Sequence, residues 1–489
     1  MIAVALDLGA SGGKLLSGQI REGRLLVEEI HRFPNAPVLK NGNLVWDFDS
    51  IRSHVLDGLR KAARTGFDSF GVDSFCNDYG LLGSNGQLLS PVFMYRDNRT
   101  EGVLDWMEGI VSARDLYNRT GCQKARFNTL VQLASQSMKQ DRVLDQAECM
   151  LFVPDLIHHW ISGRRVSEYT IASVTQLFDV HTRLWNSETI QQFSLPKRIF
   201  PEVLPSASLI GKSKRQVNDL IGSNPFSIYT VGEHDTASAV AAVPNVEGPI
   251  AYISSGTWSL MGTETDEMIT SDLAFHNNFA NEGGIGGKNR FLKNIMGLWL
   301  EQECHRIFCQ RGIKIGYEEM EQQAQNASPF RTIIDPDDPD FFESGNMIER
   351  IQKKSRQWGQ PIPETVGEIT RCIKESLALA YRYTLAQMEQ LTGQTYPVIQ
   401  IIGGGGRSAM LNQFASSAMN RLVRVGPYEA AAIGNLSVQF MACGEITDLH
   451  EAREIIRSSF EFENYLPEKN DAWEKAFERY QAIKASSKS

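Results

Sequence analysis

Short apolar runs interrupted by glycine set the pattern from the first residues. Ile2 to Leu6 has the length of a strand, Asp7-Leu-Gly-Ala-Ser-Gly-Gly-Lys14 is polar and glycine-rich, and Leu15 to Ile20 returns to apolar character. That sequence predicts a hairpin with a glycine tip. The design recurs at Ile250 to Met261, where Ser254-Ser-Gly-Thr-Trp258 separates two apolar segments, and its offset of about half the chain predicts two lobes related by duplication. Between the hairpins, Asp68–Ser74, Asp78–Leu82, Leu151–Pro154 and Ile228–Val231 read as strands. Helical stretches are expected from Thr100 to about Asn118, at Thr129–Gln140 and at Asp155–Ser162. In the second half, helices are expected from Arg290 to Gln310 and from Glu364 to Leu391, the latter with Val366, Ile369, Ile373, Leu377 and Ala380 at helical spacing. A strand at Val398–Ile402, a turn at Gly403–Gly406 and a helix from Arg407 follow. Strands alternating with helices predict an α/β layer structure. The breaker-rich Pro244-Asn-Val-Glu-Gly-Pro249 places the boundary between lobes, giving 1–244 and 245–489.

Composition narrows the class. The 489 residues suffice for roughly two to four domains, and 42% hydrophobic with 22% charged residues is ordinary for a globular protein. A net charge of -9 offers no basic footprint for nucleic acid or an anionic membrane. Any phosphate must therefore be gripped locally, by amides, a few cations or a metal. The seven cysteines form no CxxC pair, and their odd number argues against a disulfide framework and for a reducing compartment. With no basic leader before Asp7 and no apolar run near the roughly 18 residues that span a bilayer, a cytoplasmic protein is expected.

Three stretches carry candidate chemistry. In Val231-Gly-Glu-His-Asp-Thr-Ala-Ser-Ala-Val-Ala-Ala242, Asp235 stands where a small-residue helix begins. Free backbone N–H groups and the helix dipole there would keep its carboxylate ionised and directed outward, as a general base requires; an N-cap is the alternative. The first glycine tip offers backbone amides and the Ser11 hydroxyl to a phosphate, with Asp7 able to orient hydrated magnesium, or it is an ordinary hairpin turn. The turn at Gly403–Gly406 either admits a nucleotide against bare backbone or is only a turn. Asp335-Pro-Asp-Asp-Pro-Asp340 reads as a solvated acidic turn rather than a metal site.

Seven blocks taken in order carry a resemblance. Asp7-Leu-Gly-Ala-Ser-Gly-Gly13, Tyr95-Arg-Asp-Asn-Arg-Thr100, Glu233-His-Asp-Thr-Ala-Ser-Ala-Val240, Ser254-Ser-Gly-Thr-Trp-Ser-Leu260, Asn281-Glu-Gly-Gly284, Leu292-Lys-Asn-Ile-Met-Gly-Leu-Trp-Leu300 and Gly426-Pro-Tyr-Glu-Ala430 resemble the FGGY carbohydrate kinases. The likeness spans Asp7 to about Gly444. It implies a two-lobed actin-like ATPase fold, ribonuclease H-like in each lobe, with ATP and sugar in a cleft between the lobes. It further implies Asp235 as catalytic base, His234 and Thr236 beside the sugar, and Asn294 as a sugar contact from the second lobe. ATP would meet Ala10, Ser11, Gly12, Gly13, Lys14, Thr257, Gln302 and the turn near Gly404. Asp7 would position Mg2+ through water, and the segment from Ala472 is a candidate to pack back on the first lobe. The implied reaction is transfer from ATP to the 1-hydroxyl of a small ketose, L-rhamnulose first, with L-fuculose or L-ribulose as alternatives.

The chain also departs from the family. Where close members read Asp-Thr-Trp-Gly-Val-Asp, it has Asp73-Ser-Phe-Cys-Asn-Asp78, so Cys76 stands at a sugar-contacting glycine. Glu429-Ala-Ala-Ala-Ile433 lacks the hydroxyl residues usual after that glutamate. Two readings from other classes are a sugar-independent actin-like ATPase and a catalytically silent sugar sensor. The first needs no His234-Asp235-Thr236 constellation, and the second usually carries a DNA-binding helical module, which the sequence does not show.

Overall fold

A computed structural model describes residues 1–179, 181–244 and 247–486. Its backbone forms two compact units that interleave along the chain. The first comprises Met1–Glu247, Glu264–Phe291 and Ala430–Phe460, and the second Gly248–Thr263, Leu292–Glu429 and Glu461–Ser489. Asn245 and Val246 of the expected linker lie outside the described residues.

The first unit is built on a six-stranded sheet. Strands β1 (Ala3–Leu8), β2 (Gly12–Arg21), β3 (Arg24–Pro34), β4 (Ser69–Ser74), β5 (Leu209–Lys212) and β6 (Ser227–Tyr229) take the order β5-β6-β4-β1-β2-β3. β1 pairs antiparallel with β2 and parallel with β4. Every residue of β1 and β4 is buried, because helices cover both faces of the sheet. Helix Phe48–Ala63 presents Ile51, Val55, Leu59 and Ala62 at helical spacing, and its Asp47 cap accepts from Ser50 N–H. Helix Ala430–Ala442 approaches through small residues: a Cβ on Gly18 would lie 2.7 Å from Leu436, and one on Gly434 only 1.8 Å from the Ser238 carbonyl oxygen.

The second unit repeats the layout. Six strands of a seven-stranded sheet, β7 (Ala251–Ser255), β8 (Trp258–Thr265), β9 (Asn289–Met296), β10 (Val398–Ile402), β11 (Leu422–Val425) and β12 (Glu463–Tyr465), take the order β9-β8-β7-β10-β11-β12. Again the first strand of a hairpin pairs antiparallel with its partner and parallel with a distant strand, here β10. Helix Val366–Thr392 opens with a capping box, Thr365 and Glu368, and ends at Gly393 with φ 67°.

Several expectations are corrected. Residues 290–296 form β9 rather than helix, and helix begins only at Trp299. Phe291, Leu292, Ile295 and Met296 are all buried, a spacing compatible with either element, and Gly297 ends the strand. The helix expected from Thr100 to Asn118 is broken into a 3-10 turn at Asn98–Thr100 and helices Val103–Glu108 and Ala113–Thr120, because Gly102 takes φ 72° and Ser112 caps a new start. The C-terminal helix Asp471–Ser486 counts with the second unit instead of packing back on the first. Glu474 pairs with Arg382, and Trp473 stacks edge-on against Phe330 and Phe414. The acidic turn is held by lysines, Lys484 on Asp335 and Asp337 and Lys354 on Asp338 and Asp340. All seven cysteines are free thiols. Among the described residues no helix is long and apolar enough to cross a membrane.

Candidate active site

The glycine tip between β1 and β2 is shaped for close approach. Gly9 N–H donates to the Gly12 carbonyl at 2.9 Å, and Asn35 closes the loop from outside, its side-chain amide donating to the Gly9 carbonyl at 2.9 Å. A Cβ on Gly13 would sit 2.2 Å from the Phe33 ring, so any side chain there would have to displace that ring. Ser11 is exposed, while Ala10, Gly12 and Lys14 are half-buried. Register places Asp7 opposite Lys14 across the hairpin, with Nζ 3.1 Å from Oδ2. A pocket of about 570 Å³ opens here, walled by Asp7, the glycines, Lys14, Arg32 and Phe33. Backbone amides with two cations suit phosphate oxygens.

On its other edge β1 pairs Asp7 with Asp73 of β4. Asp73 is fully buried; Asn435 donates to its Oδ2 at 2.7 Å, and Oδ1 has no partner. Burial drives its proton affinity well above the usual carboxylate range, and the charges of Asp7 and Asp235 add to this against the opposing Asn435 amide and Lys14. Two adjacent carboxylates, one with an unsatisfied buried oxygen, fit the hard oxygen preference of Mg2+.

Asp235 is the first residue of helix Asp235–Ala241, and His234, not Asp235, occupies the capping position. Its carboxylate is therefore not spent on the helix, and its side chain stays 33% exposed. Thr236 Oγ1 donates to Asp235 Oδ1 at 3.1 Å, and His234 Nε2 lies 3.5 Å from the same oxygen. Behind His234 stands a buried network. Glu282 Oε2 lies 3.3 Å from His234 Nδ1 and 2.9 Å from an Arg290 guanidinium that is wholly enclosed and also donates to the Gly283 carbonyl. The Arg290 NH2 is also 3.0 Å from Nδ1, so Glu282, Arg290 and His234 form one buried cluster of charged and titratable groups. Burial opposes protonation of His234, yet the Cys76 sulfur and Glu282 more than reverse it and hold the imidazole up at about 10. The Cys76 sulfur and Glu282 thus favour the protonated ring, and Nε2 stands against the Asp235 carboxylate.

Cys76 is half-buried beside this imidazole. Its neighbour Asn77, expected to alter the pocket, is turned into the protein at φ 74°. Its amide donates to Cys76 Sγ at 3.1 Å, and its Oδ1 accepts from Thr129 N–H at 3.3 Å. Asp7, Lys14, Asp73, Cys76, His234, Asp235 and Thr236 all belong to the first unit. Asn294, Thr257, Gln302 and Gly404 belong to the second.

Within the second unit, Thr257 Oγ1 donates to Gln302 Oε1 at 3.2 Å. The glycine turn after β10 lies against the β7 hairpin so closely that a Cβ on Gly405 would meet Ser255 Oγ at 2.2 Å. Gly403 takes φ 86°, and around Gly404 a Cβ would meet nothing, leaving its backbone open. Asn294, on β9, holds its Oδ1 buried without a partner.

Sequence reasoning missed Arg32, Asn35, Asp73, Glu282 and Arg290 as part of this chemistry. Glu282 lay inside the quoted Asn281–Gly284 block, whose acidic residue was the available signal. Arg290 offered none, because the expected helix hid its strand position.

Family models agree with this architecture across both halves. The FGGY family of carbohydrate kinases, N-terminal domain, matches residues 2–242, and the C-terminal domain of the same family matches residues 251–443. A relative from Bacteroides thetaiotaomicron called rhamnulokinase is 39% identical over 475 residues, 97% of each chain, and one of the same name from Bacillus subtilis is 36% identical over 474 residues, 96% of each. Among solved structures, the ligand-bound xylulose kinase of Lactobacillus acidophilus superposes with a TM-score of 0.80 over 99% of this chain and 98% of that one at 15% identity. Plasmodium falciparum glycerol kinase with ADP reaches 0.77 over 99% and 98% at 13%. At such identities the likeness is one of fold, the mixed α/β, two-domain actin-like ATPase architecture. The chain belongs to the FGGY family of carbohydrate kinases and is accordingly a phosphotransferase that moves a phosphoryl group from ATP to a sugar.

Proposed function

We propose that this kinase phosphorylates the 1-hydroxyl of a ketose, L-rhamnulose first, giving L-rhamnulose 1-phosphate, with L-fuculose and L-ribulose as the next candidates. The relatives named rhamnulokinase, at 35–39% identity over nearly the whole chain, support the substrate class. The observation that carries the chemistry is the Asp235 carboxylate: partly exposed, free of the capping role, and flanked by the Thr236 hydroxyl and His234 Nε2.

In this reading Asp235 accepts the hydroxyl proton as the sugar oxygen attacks. Lys14, the amides of the glycine tip from Ala10 to Gly13, and Ser11 hold phosphate oxygens where charge spreads in the transition state. Bound Mg2+ would neutralise phosphate charge, held by Asp7 with Asp73 beside it. In the second unit, Thr257, Gln302 and the open backbone at Gly404 are the proposed nucleotide contacts, and the orphaned Asn294 Oδ1 is the proposed sugar acceptor. An ATP-consuming kinase with seven free thiols belongs in a reducing cytoplasm.

Sugar choice is the finest part of the proposal, and it turns on Cys76. Asn77 is committed elsewhere, which leaves the thiol, in place of the glycine of close family members, as the change beside His234. A mismatched polar contact can cost as much as roughly 10⁴-fold in kcat/KM. The test is a coupled ATP-consumption assay with L-rhamnulose, L-fuculose and L-ribulose in the wild type and in Cys76→Gly. The wild type should prefer L-rhamnulose, and Cys76→Gly should widen that preference. A wild type that favours another sugar overturns the substrate, and identical rankings in the two proteins remove Cys76 from the site.

A further inference from the structure

Helix Val153–Ser162 carries Asp155 and His158 three residues apart, hence on one face, and Glu233 reaches the same point from the segment leading into His234 and Asp235. One ligand atom from each of the three lies within 4.8 Å of the other two, and among the described residues this is the sole such group of three acidic, histidine or cysteine side chains. His158 Nδ1 stands 3.2 Å from Glu233 Oε1. Asp155, His158 and Glu233 are exposed by only 1%, 1% and 0%. Apart from their contacts with one another and with Asp155, both ring nitrogens of His158 and both carboxylate oxygens of Glu233 lack a hydrogen-bond partner. Native interiors rarely leave polar atoms so, since each costs roughly 1–3 kcal/mol. Four on two touching side chains demand a common cause.

We propose that Asp155, His158 and Glu233 bind a divalent transition ion of the zinc class. One imidazole nitrogen and two carboxylates, without thiolate, are a donor set that zinc accepts, and they leave a fourth position open. Two carboxylates and a neutral imidazole balance a 2+ charge, as a site closed to solvent requires. An acidic residue and a histidine at i, i+3 on one helix, completed by a carboxylate from another element, is also how bundle proteins build metal centres. An outer layer holds the ligands. Phe152 N–H donates to Asp155 Oδ2 at 3.1 Å, Ser74 N–H donates to the Glu233 carbonyl at 2.9 Å, and the Glu233 N–H donates to Glu168 Oε2 at 3.2 Å. The site's three residues are distinct from Asp7 and Asp73, the proposed Mg2+ ligands. It anchors the backbone two residues before Asp235.

The test uses tag-free full-length protein equilibrated with Zn2+ and freed of excess. Elemental analysis should find about one zinc per chain in the wild type and less than about one tenth in His158→Gln and Glu233→Gln. Zinc at saturating excess should raise the wild-type Tm by roughly 5–10 °C and leave both variants unmoved. Should the variants fail to fold, Co2+ on the wild type decides: bound cobalt should show no thiolate charge-transfer band, because none of the ligands is cysteine. Substoichiometric zinc in the wild type, zinc retained by a folded variant, or a cobalt–thiolate band each overturns the proposal.

Discussion

Glu282→Gln should be among the most damaging single-atom changes in the first unit. The carboxylate sits in a buried cluster, 2.9 Å from the Arg290 NH2 and 3.3 Å from His234 Nδ1, and Arg290 has no exposure to water. The amide keeps the volume but leaves the guanidinium without its counter-charge, which costs about 3–5 kcal/mol. The first unit's unfolding transition should fall by roughly 6–20 °C. A second signature follows from protonation. The folded-state affinity of His234 is raised from 6.5 to about 10, so its contribution to stability is fully present below pH 6.5 and is lost as pH rises through 10. Full linkage over that interval is on the order of 5 kcal/mol, an upper bound. In Glu282→Gln that loss should shrink, because one source of the raised affinity is gone. Urea unfolding at several pH values between 6.5 and 10 measures both effects, and Glu282→Gln combined with Arg290→Met should recover most of the neutral-pH loss by removing both charges. A single variant costing under about 1 kcal/mol, with the wild-type pH slope retained, would refute the charge network.

Asp7→Ala should raise the Mg2+ concentration needed for half-maximal turnover and lower kcat with little change in sugar affinity; an unchanged magnesium titration removes Asp7 from the site. Gly434→Ala should destabilise the first unit by about 3 kcal/mol, the upper end of the usual cost of overpacking. Its Cβ would lie 1.8 Å from the Ser238 carbonyl oxygen, on the helix that begins with Asp235; a thermal scan matching wild type would show that the two helices separate without cost.

The parts of the molecule that depend on local pattern were legible. Both hairpins follow from apolar runs closed by small residues, and helix Val366–Thr392 follows from its spacing and the Thr365–Glu368 capping box. β3 escaped because it is largely exposed, with Glu28 and Glu29 in its middle, so its residues read as polar. β9 escaped because Phe291, Leu292, Ile295 and Met296 suit a helix face as well as a buried strand. The Glu282–Arg290–His234 network was invisible for a different reason: its members lie 8 and 48 residues apart, and nothing in local spacing brings a glutamate to a histidine across that distance. Asp73 was hidden likewise, since only the parallel register of β1 with β4 sets it beside Asp7.

The central claim is that Asp235 takes the proton from the attacking hydroxyl, and Asp235→Asn tests it most directly. Side-chain volume, Thr236 and the helix start are all conserved in that variant, while the acceptor is lost. Sugar-dependent ATP consumption should fall about 10²- to 10⁴-fold or more, with ATP affinity by calorimetry and Tm close to wild type. Turnover at the wild-type rate would contradict the account and leave Asp235 as no more than the first residue of its helix.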